Sequence, residues 1–427
     1  MNKKNKAINA VRGMPDILPS ETPYWQIIEK TLRRLTASYC YNEIKLPIIE
    51  NTELFKRSVG DVTDIVEKEM YTFADRNGDS LTLRPEGTAG VVRAGIEHSL
   101  FYGETPKVWY YGPMFRHERP QRGRYRQFYQ FGMEAFGFSD AYTDVEMIAF
   151  GHRLWHELGL QDKIQLQINC LGTKEVRENY RNDLVAYFNQ YTNQLDEDSK
   201  RRLGKNPLRI LDSKNPDLKE IISQAPKLTE YLDDTSKKHM QVLCNTLDDL
   251  GIKYELNPHL VRGLDYYCLT VFEWVTNELG SQGTVCAGGR YDSLVAEIGG
   301  QETKAIGMAL GIERLVLMLQ QTALDAIKPE NDCDVYMALL GDAPIRKGVV
   351  FAELIRKELP DLKLYVNTLG QSFKNQLKKA DKSGAQLAVI IGEDEATNST
   401  FTMKWLRNDK AQQQVGFEEL ITILRDI

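Results

Sequence analysis

A mixed α and β protein of two to three domains is what this sequence predicts, and three observations carry the prediction. The chain has 427 residues, too many for one ordinary hydrophobic core. Two-residue periodicities, over 107 to 138 and again from Gly263, sit among helical ones, which describes strands backed by helices. From about residue 330 strand and helix patterns alternate, the mark of a separate α/β domain with a largely parallel sheet.

The elements follow in order. YWQIIEKTLRRLTASYCY (24 to 41) spaces its apolar residues as an amphipathic helix. EIKLPIIE reads as a strand interrupted by Pro47, an edge strand or a strand bend, because proline cannot donate to a ladder. Between Tyr71 and Arg84 two short strands flank DRNGD, a hairpin with Asn-Gly at its tip. Pro85 then opens a helix, PEGTAGVVRAGIEHSL. Two long antiparallel strands span 107 to 138, joined by an arginine-rich loop, and a helix and the strand IQLQINC follow. Residues 171 to 256 change character to charged and helical, with the basic cluster KRRLGKNPLR. Strands return with LDYYCLTVFEWV, AGGRYD and AIGMALG, the last running into the helix IERLVLMLQQ. The first core is thus interrupted by a helical insertion and resumed, and the polar stretch AIKPENDCD links it to the tail.

Composition narrows the class. A content of 42% hydrophobic and 27% charged residues describes an ordinary soluble protein. No apolar run reaches the length of a membrane span, and the N-terminus lacks a signal's apolar region, so a cytoplasmic location is expected. Six scattered cysteines without a CxxC pair read as free thiols. A net charge of −6 does not advertise nucleic-acid binding, although a local basic patch can still hold phosphate.

The chemistry-bearing residues lie on the strands. In QFYQFGMEAF, alternation puts Tyr129, Phe131, Met133 and Ala135 on a core face. Arg126, Phe128, Gln130, Gly132 and Glu134 fall on the other, which is poor core material and good pocket material: an aromatic stacks on a base, an amide holds a polar head group, and a carboxylate accepts from an N–H-bearing ligand. Arg116, at the end of the preceding strand, can face the same pocket. Glu86 suits a helix start, and Gly307 and Gly311 allow close backbone approach. Arg314 opens a helix, where a cation opposes the dipole and calls for another partner such as phosphate. Asp265 and Tyr267 share one strand face, and AGGRYD offers two glycines where backbone can lie against a ligand. The sequence has neither a GxxxxGK[ST] nor a GxGxxG loop, so any nucleotide is held by a different architecture.

Together these segments resemble a known family along essentially the whole chain. FRHERPQRGRYRQF is similar to the second signature motif of class II aminoacyl-tRNA synthetases, AIGMALGIERL to the third, and Pro47 in IKLPIIE to the weak first. LVRGLDYY and AGGRYD are similar to the two signatures of histidyl-tRNA synthetases, and DSLTLRPEGTA and GQSFKNQLKKAD match that family too. The resemblance implies an α+β fold: a six-stranded, mostly antiparallel sheet flanked by helices (1–170 and 257–325), a helical insertion (171–256) and a C-terminal α/β anticodon-binding domain (331–427). It also implies a homodimer, with ATP, Mg²⁺, histidine and its cognate tRNA as ligands.

The family's roles carry over to matching positions. Arg116 and Arg262 would flank the ATP α-phosphate and act in catalysis, with Phe128 stacked on adenine and Arg314 on the terminal phosphate. Glu86, Gly87, Thr88, Gln130 and Arg116 would hold the amino-acid head group. Glu134 and Tyr267 would read the imidazole, with Tyr266 and Tyr291 nearby. Arg119, Gln121, Arg122 and Arg124 would meet the tRNA acceptor end. Lys200, Arg201, Arg202, Lys205, Lys374, Lys378 and Lys379 are further candidate RNA contacts. Cys268 and Leu269 depart from the family, which commonly has Asn and a charged residue there. The competing reading is a non-catalytic, histidine-sensing paralogue similar to the regulatory subunit of ATP phosphoribosyltransferase.

Overall fold

The structure, a computed structural model, describes residues 7–60, 63–211, 213, 215–262, 266–280, 283–322 and 333–427, with Lys205 and Thr322 described by backbone alone. Asp265 and the linker residues 326–332 lie outside the described residues. The chain divides into two compact units, 1–327 and 328–427.

The strands of the first unit are β1 (Asn42–Glu43), β2 (Ile49–Asn51), β3 (Tyr71–Ala74), β4 (Ser80–Leu83), β5 (Lys107–Phe115), β6 (Gln127–Phe136), β7 (Gln165–Cys170), β8 (Tyr254–Leu256), β9 (Cys268–Val275), β10 (Thr284–Arg290) and β11 (Ala305–Gly311). Among the described residues, eight build one sheet in the order β1-β5-β6-β11-β10-β9-β7-β8. The six inner strands pair antiparallel, while the short edges β1 and β8 pair parallel to β5 and β7. The expected six-stranded sheet is therefore present with a short parallel strand added at each side.

One face of this sheet is covered by the helices Thr22–Ser38, Ala141–Glu157 and Ile312–Thr322. Ile28, Leu32 and Leu35 of the first, placed at helical spacing, pack with Phe131, Met133 and Ala135 of β6. Burying each of the large side chains contributes about 1.5–3 kcal/mol. Asp140 caps the second helix by accepting from Tyr142 N and Thr143 N at 2.9 and 3.1 Å.

Residues 174 to 223 supply the helices Lys174–Asn189, Glu197–Lys205 and Lys219–Ser223 around Tyr180, Leu184, Phe188 and Leu218, whereas the following helix, Asp234–Asp249, buries Leu243 and Leu247 in the core of the large sheet. Asp196 and Asp233 cap two of them, each through a first-turn serine N–H at 2.7 Å.

Two local expectations are corrected. The Pro47 segment is two strands rather than one bent strand: β1 joins the large sheet, and β2 joins β4 and β3 in a separate three-stranded sheet. Arg84 stabilises the break, its Nη1 donating to Leu46 O and Pro47 O at 2.9 and 3.2 Å. The helix expected at Pro85 begins at Thr88, because the Glu86 carboxylate accepts from Thr88 N and Ala89 N (2.6 and 2.8 Å) and caps the turn from outside. The hairpin of β3 and β4 forms as expected, with Gly78 at φ +93°.

The second unit holds a five-stranded sheet of β12 (Val335–Leu339), β13 (Leu364–Asn367), β14 (Leu387–Ile391), β15 (Phe401–Trp405) and β16 (Gln413–Val415) in the order β13-β12-β14-β15-β16. The first three are parallel and the last two antiparallel. Residues 392–400 are too few for the dozen-residue crossover a parallel β15 would need.

Candidate active site

The cleft of the first unit opens on the sheet face opposite the three helices. Its lining brings together Glu86, Thr88, Arg116, Phe128, Gln130, Arg262, Tyr266, Tyr267 and Arg314, residues spread over some 230 positions of sequence. Register explains the convergence. β6 carries Phe128 and Gln130 at the sheet's centre, with β5 on one side and β11 on the other, and β10 lies beyond β11. The alternation of β6 separates core from cleft as the sequence predicts, except for Arg126. That residue precedes the strand, and its guanidinium donates to Glu118 O and Arg12 O at 3.1 and 3.5 Å.

Glu134 is the buried polar centre, 1% exposed. Its Oε1 accepts from Thr88 Oγ1 at 2.7 Å and its Oε2 from Tyr291 Oη at 2.5 Å. Burial pushes its carboxyl up to about 8, and the two hydroxyl donors offset only part of that shift. Gly307 faces it across the β6–β11 pair, and a Cβ there would fall 1.6 Å from Glu134 Oε2. So the backbone approach expected at Gly307 exists, and it serves this carboxylate. Gly87 has a different neighbour: a Cβ on Gly87 or on Gly132 would meet the Tyr110 ring at 2.2 Å.

Tyr291, expected merely nearby, is the tyrosine bonded to Glu134, while Tyr267 lies in the cleft wall beneath Arg262, 5.7 Å from ring centroid to guanidinium carbon. Tyr266 packs between them, 4.6 Å from Tyr267 and 5.5 Å from Tyr291. Glu86 is buried, which raises its pKa, and its two cap bonds leave a lone pair on each oxygen for a ligand.

The rim is cationic. Arg116 donates from Nε to Pro85 O at 2.9 Å and lies 5.4 Å over the Phe128 ring. Arg262 is ion-paired with Glu273 of β9, whose other oxygen accepts from Thr284 Oγ1 at 3.0 Å. Arg314 donates to Thr284 O and, at 3.3 Å, to Gly123 O, so its guanidinium is aimed by backbone carbonyls. In the arginine loop Arg124 turns into the cleft and pairs with Glu118, whereas Arg119, Gln121 and Arg122 stay exposed.

The glycines of AGGRYD lie where strands pack closely. A Cβ on Gly288 would meet Gly307 O at 2.4 Å, and one on Gly289 would meet Thr270 O at 2.6 Å, so both are needed for strand packing. Sequence reasoning missed Glu273, Tyr110 and Glu118. Glu273 alone left a signal, a single carboxylate inside the apolar strand CLTVFEWV.

Comparison with known proteins agrees with this geometry. Residues 13–315 match the histidyl-tRNA synthetase family, and residues 343–427 match the anticodon binding domain. A histidine–tRNA ligase of Hydrogenovibrio crunogenus is 55% identical over 421 residues, covering 99% of this chain and 98% of that protein. The apo histidyl-tRNA synthetase of S. aureus superposes with a TM-score of 0.82 at 35% identity, over 98% of this chain and 100% of that one. An ATP phosphoribosyltransferase regulatory subunit/histidyl-tRNA synthetase of Bacillus halodurans shares the fold, with a TM-score of 0.63 at 22% identity over 91% of this chain and 99% of that one. The chain belongs to the histidyl-tRNA synthetase family.

Proposed function

We propose that this protein ligates L-histidine to its cognate tRNA at the expense of ATP, through a histidyl-adenylate. The observation that carries the reading is a buried, doubly hydrogen-bonded carboxylate, Glu134, bonded to Thr88 of the cleft wall, behind a cleft rimmed by Arg116, Arg262 and Arg314. The carboxylate fits an imidazole, and the rim fits a triphosphate.

In the first step the histidine carboxylate oxygen attacks the ATP α-phosphorus and pyrophosphate leaves. In the second, the terminal ribose hydroxyl of the tRNA attacks the acyl carbon and AMP leaves. Both steps need positioning and charge neutralisation rather than covalent help from protein. Arg116 and Arg262 take the α-phosphate from two sides, because planar guanidinium groups neutralise it bidentately. Phe128 stacks on adenine, and Arg314 holds the terminal phosphate. Mg²⁺ enters with ATP as part of the substrate.

Glu86, Thr88 and Gln130 receive the amino-acid head group beside Gly87, and Glu134, Tyr267 and Tyr291 read the ring. A site built on such pairing rejects analogues lacking the ring N–H by about 10⁴, since its own polar atoms would be left unpaired. In this reading 1–170 and 257–325 form the catalytic core, 171–256 the insertion and 331–427 the anticodon-binding domain. The enzyme works as a cytoplasmic homodimer, with Arg119, Gln121, Arg122 and Arg124 at the tRNA acceptor end. The histidine-sensing paralogue is not favoured, since the three rim arginines are in place and the anticodon-binding match is present.

The test is ATP–pyrophosphate exchange with each standard amino acid in turn, without tRNA. Exchange with histidine alone is expected. Histidine binding without any exchange would sink the reading.

A further inference from the structure

Glu313 sits one residue before Arg314 at the start of the helix Ile312–Thr322, just past the end of β11 at Gly311. The β6–β11 ladder stops at the pair Gly311↔Gln130, yet β6 continues for three more residues to its start at Gln127. Those residues include Phe128, which lines the cleft. On its other side β6 meets β5, where Arg116 N donates to Arg126 O at 2.9 Å, so hydrogen-bonded pairs alternate from there and the pair Tyr129↔Pro113 is a non-hydrogen-bonded one. Tyr129 N therefore points away from β5, toward the side that β11 has vacated. There Glu313 Oε1 accepts its hydrogen bond at 2.8 Å. The carboxylate takes the place of the missing strand.

We infer that Glu313 is a positioning residue for the nucleotide platform: by accepting the Tyr129 N–H it extends the β11 ladder one step and fixes the backbone from which Phe128 and Gln130 project. This rests on the proposed reading of Phe128 and Gln130 as contacts for adenine and for the amino-acid head group.

Three features agree with it. Glu313 lines the cleft and, on its other side, a groove that includes Trp25, Gln127 and Tyr129, so it forms the wall behind the platform. Tyr129 is itself held from that side, its ring packed edge-on against Trp25 at 5.1 Å. The neighbouring residue Arg314 donates to Thr284 O and Gly123 O, while the Glu313 carboxylate accepts from the backbone of β6. Burial pushes the Glu313 carboxyl up to about 7, and an acid in either protonation state keeps an acceptor oxygen for Tyr129.

The role needs an acceptor and not a charge, which separates it from an electrostatic contribution to ATP binding. Glu313→Gln keeps the carbonyl acceptor, while Glu313→Ala and Glu313→Met remove it. ATP–pyrophosphate exchange with histidine, read as KM and kcat for each substrate beside thermal melting of each variant, tests this. The Gln variant is expected to stay within about twofold of the parent in ATP KM. The Ala and Met variants are expected to raise it about tenfold, the worth of one buried hydrogen bond, with histidine KM moving less. A Gln variant as impaired as Ala would mean that charge matters and would overturn the inference. So would Ala or Met variants with unchanged ATP KM, or ones that fail to fold, since the residue would then be merely structural. Failure of the parent protein to exchange at all would instead strike the functional reading beneath it.

Discussion

Tyr291 donates its hydroxyl hydrogen to Glu134 at 2.5 Å, from the residue just after β10 to a position near the end of β6, with β11 lying between. The bond passes where Gly307 has no side chain. Removing the tyrosine hydroxyl takes away the shorter of the two hydroxyl bonds, leaving Thr88 at 2.7 Å. Tyr291→Phe should therefore raise histidine KM five- to tenfold, about the worth of one hydrogen bond, with ATP KM unchanged. Glu134→Gln should raise it by two orders of magnitude or more. Steady-state exchange kinetics with histidine varied would show this, and an unchanged histidine KM in the Gln variant would remove Glu134 from the ring site.

The same carboxylate makes a pH prediction. Its folded pKa of about 8 lies above the ordinary carboxyl value, so the native state holds a proton that the unfolded chain has released. Stability from this group is fully present below the unfolded pKa of about 4.5 and is lost as pH rises through 8. Glu134→Gln cannot ionise and escapes that loss. The melting temperature of the Gln variant, relative to the parent without ligands, should rise between pH 5 and pH 8. An equal difference at both pH values would show that the carboxyl titrates normally.

Gly307 was legible as a place of close approach, and the alternation of β6 separated Phe131, Met133 and Ala135 from Phe128, Gln130 and Glu134 without any structure. Both are properties of a single strand. What stayed hidden depends on register between strands far apart in sequence. Glu273 becomes relevant when β9 lies beside β10 and puts it next to Arg262 and Thr284. Tyr110 becomes relevant when its ring fills the spaces left by Gly87 and Gly132. The break at Pro47 was hidden for a similar reason, because its stabiliser, Arg84, arrives from a different hairpin.

The space at Gly307 gives a steric prediction. Gly307→Ala places a methyl group against a carboxylate that is itself pinned by two hydroxyls. Overpacking of this kind costs about 1–3 kcal/mol. Lower stability in urea and a lost histidine response are expected together. Gly416→Ala, where a Cβ meets nothing within 4 Å although the helix Phe417–Leu424 loses a favoured N-cap, is the control and should leave the histidine response unchanged. Equal behaviour of the two variants would contradict the geometry.

Arg262 and Glu273 form an ion pair that aims a guanidinium rather than merely storing stability. Arg262→Ala should slow adenylate formation by about two orders of magnitude, as loss of one transition-state donor does. Glu273→Gln keeps a hydrogen-bond acceptor but loosens the arginine, so its kcat should fall by about tenfold while histidine KM stays level. Rapid-quench measurement of adenylate formation in a single turnover separates these effects from product release. An Arg262→Ala enzyme with a parental single-turnover rate would take that arginine out of the chemistry.

Behind the site, Asp144 and Arg290 form a fully buried ion pair, and Arg290 also donates to Phe138 O and Asp140 O at 2.6 and 2.7 Å. His239, from the helix Asp234–Asp249, reaches both Asp144 and Thr270, at 2.9 and 2.8 Å. Arg290 precedes Tyr291, so the pair anchors the strand end that presents the tyrosine to Glu134. Asp144→Asn would remove the nearer counter-charge of a buried guanidinium and leave it only the longer contact to Asp292 at 3.5 Å, at a cost of about 3 kcal/mol. Urea unfolding should show that loss, and histidine KM should rise with it because Tyr291 is no longer held. A variant with the parental unfolding midpoint would mean that Asp292 and the backbone carbonyls suffice for Arg290. A variant that is less stable but keeps its histidine KM would sever the link from this pair to the ring site.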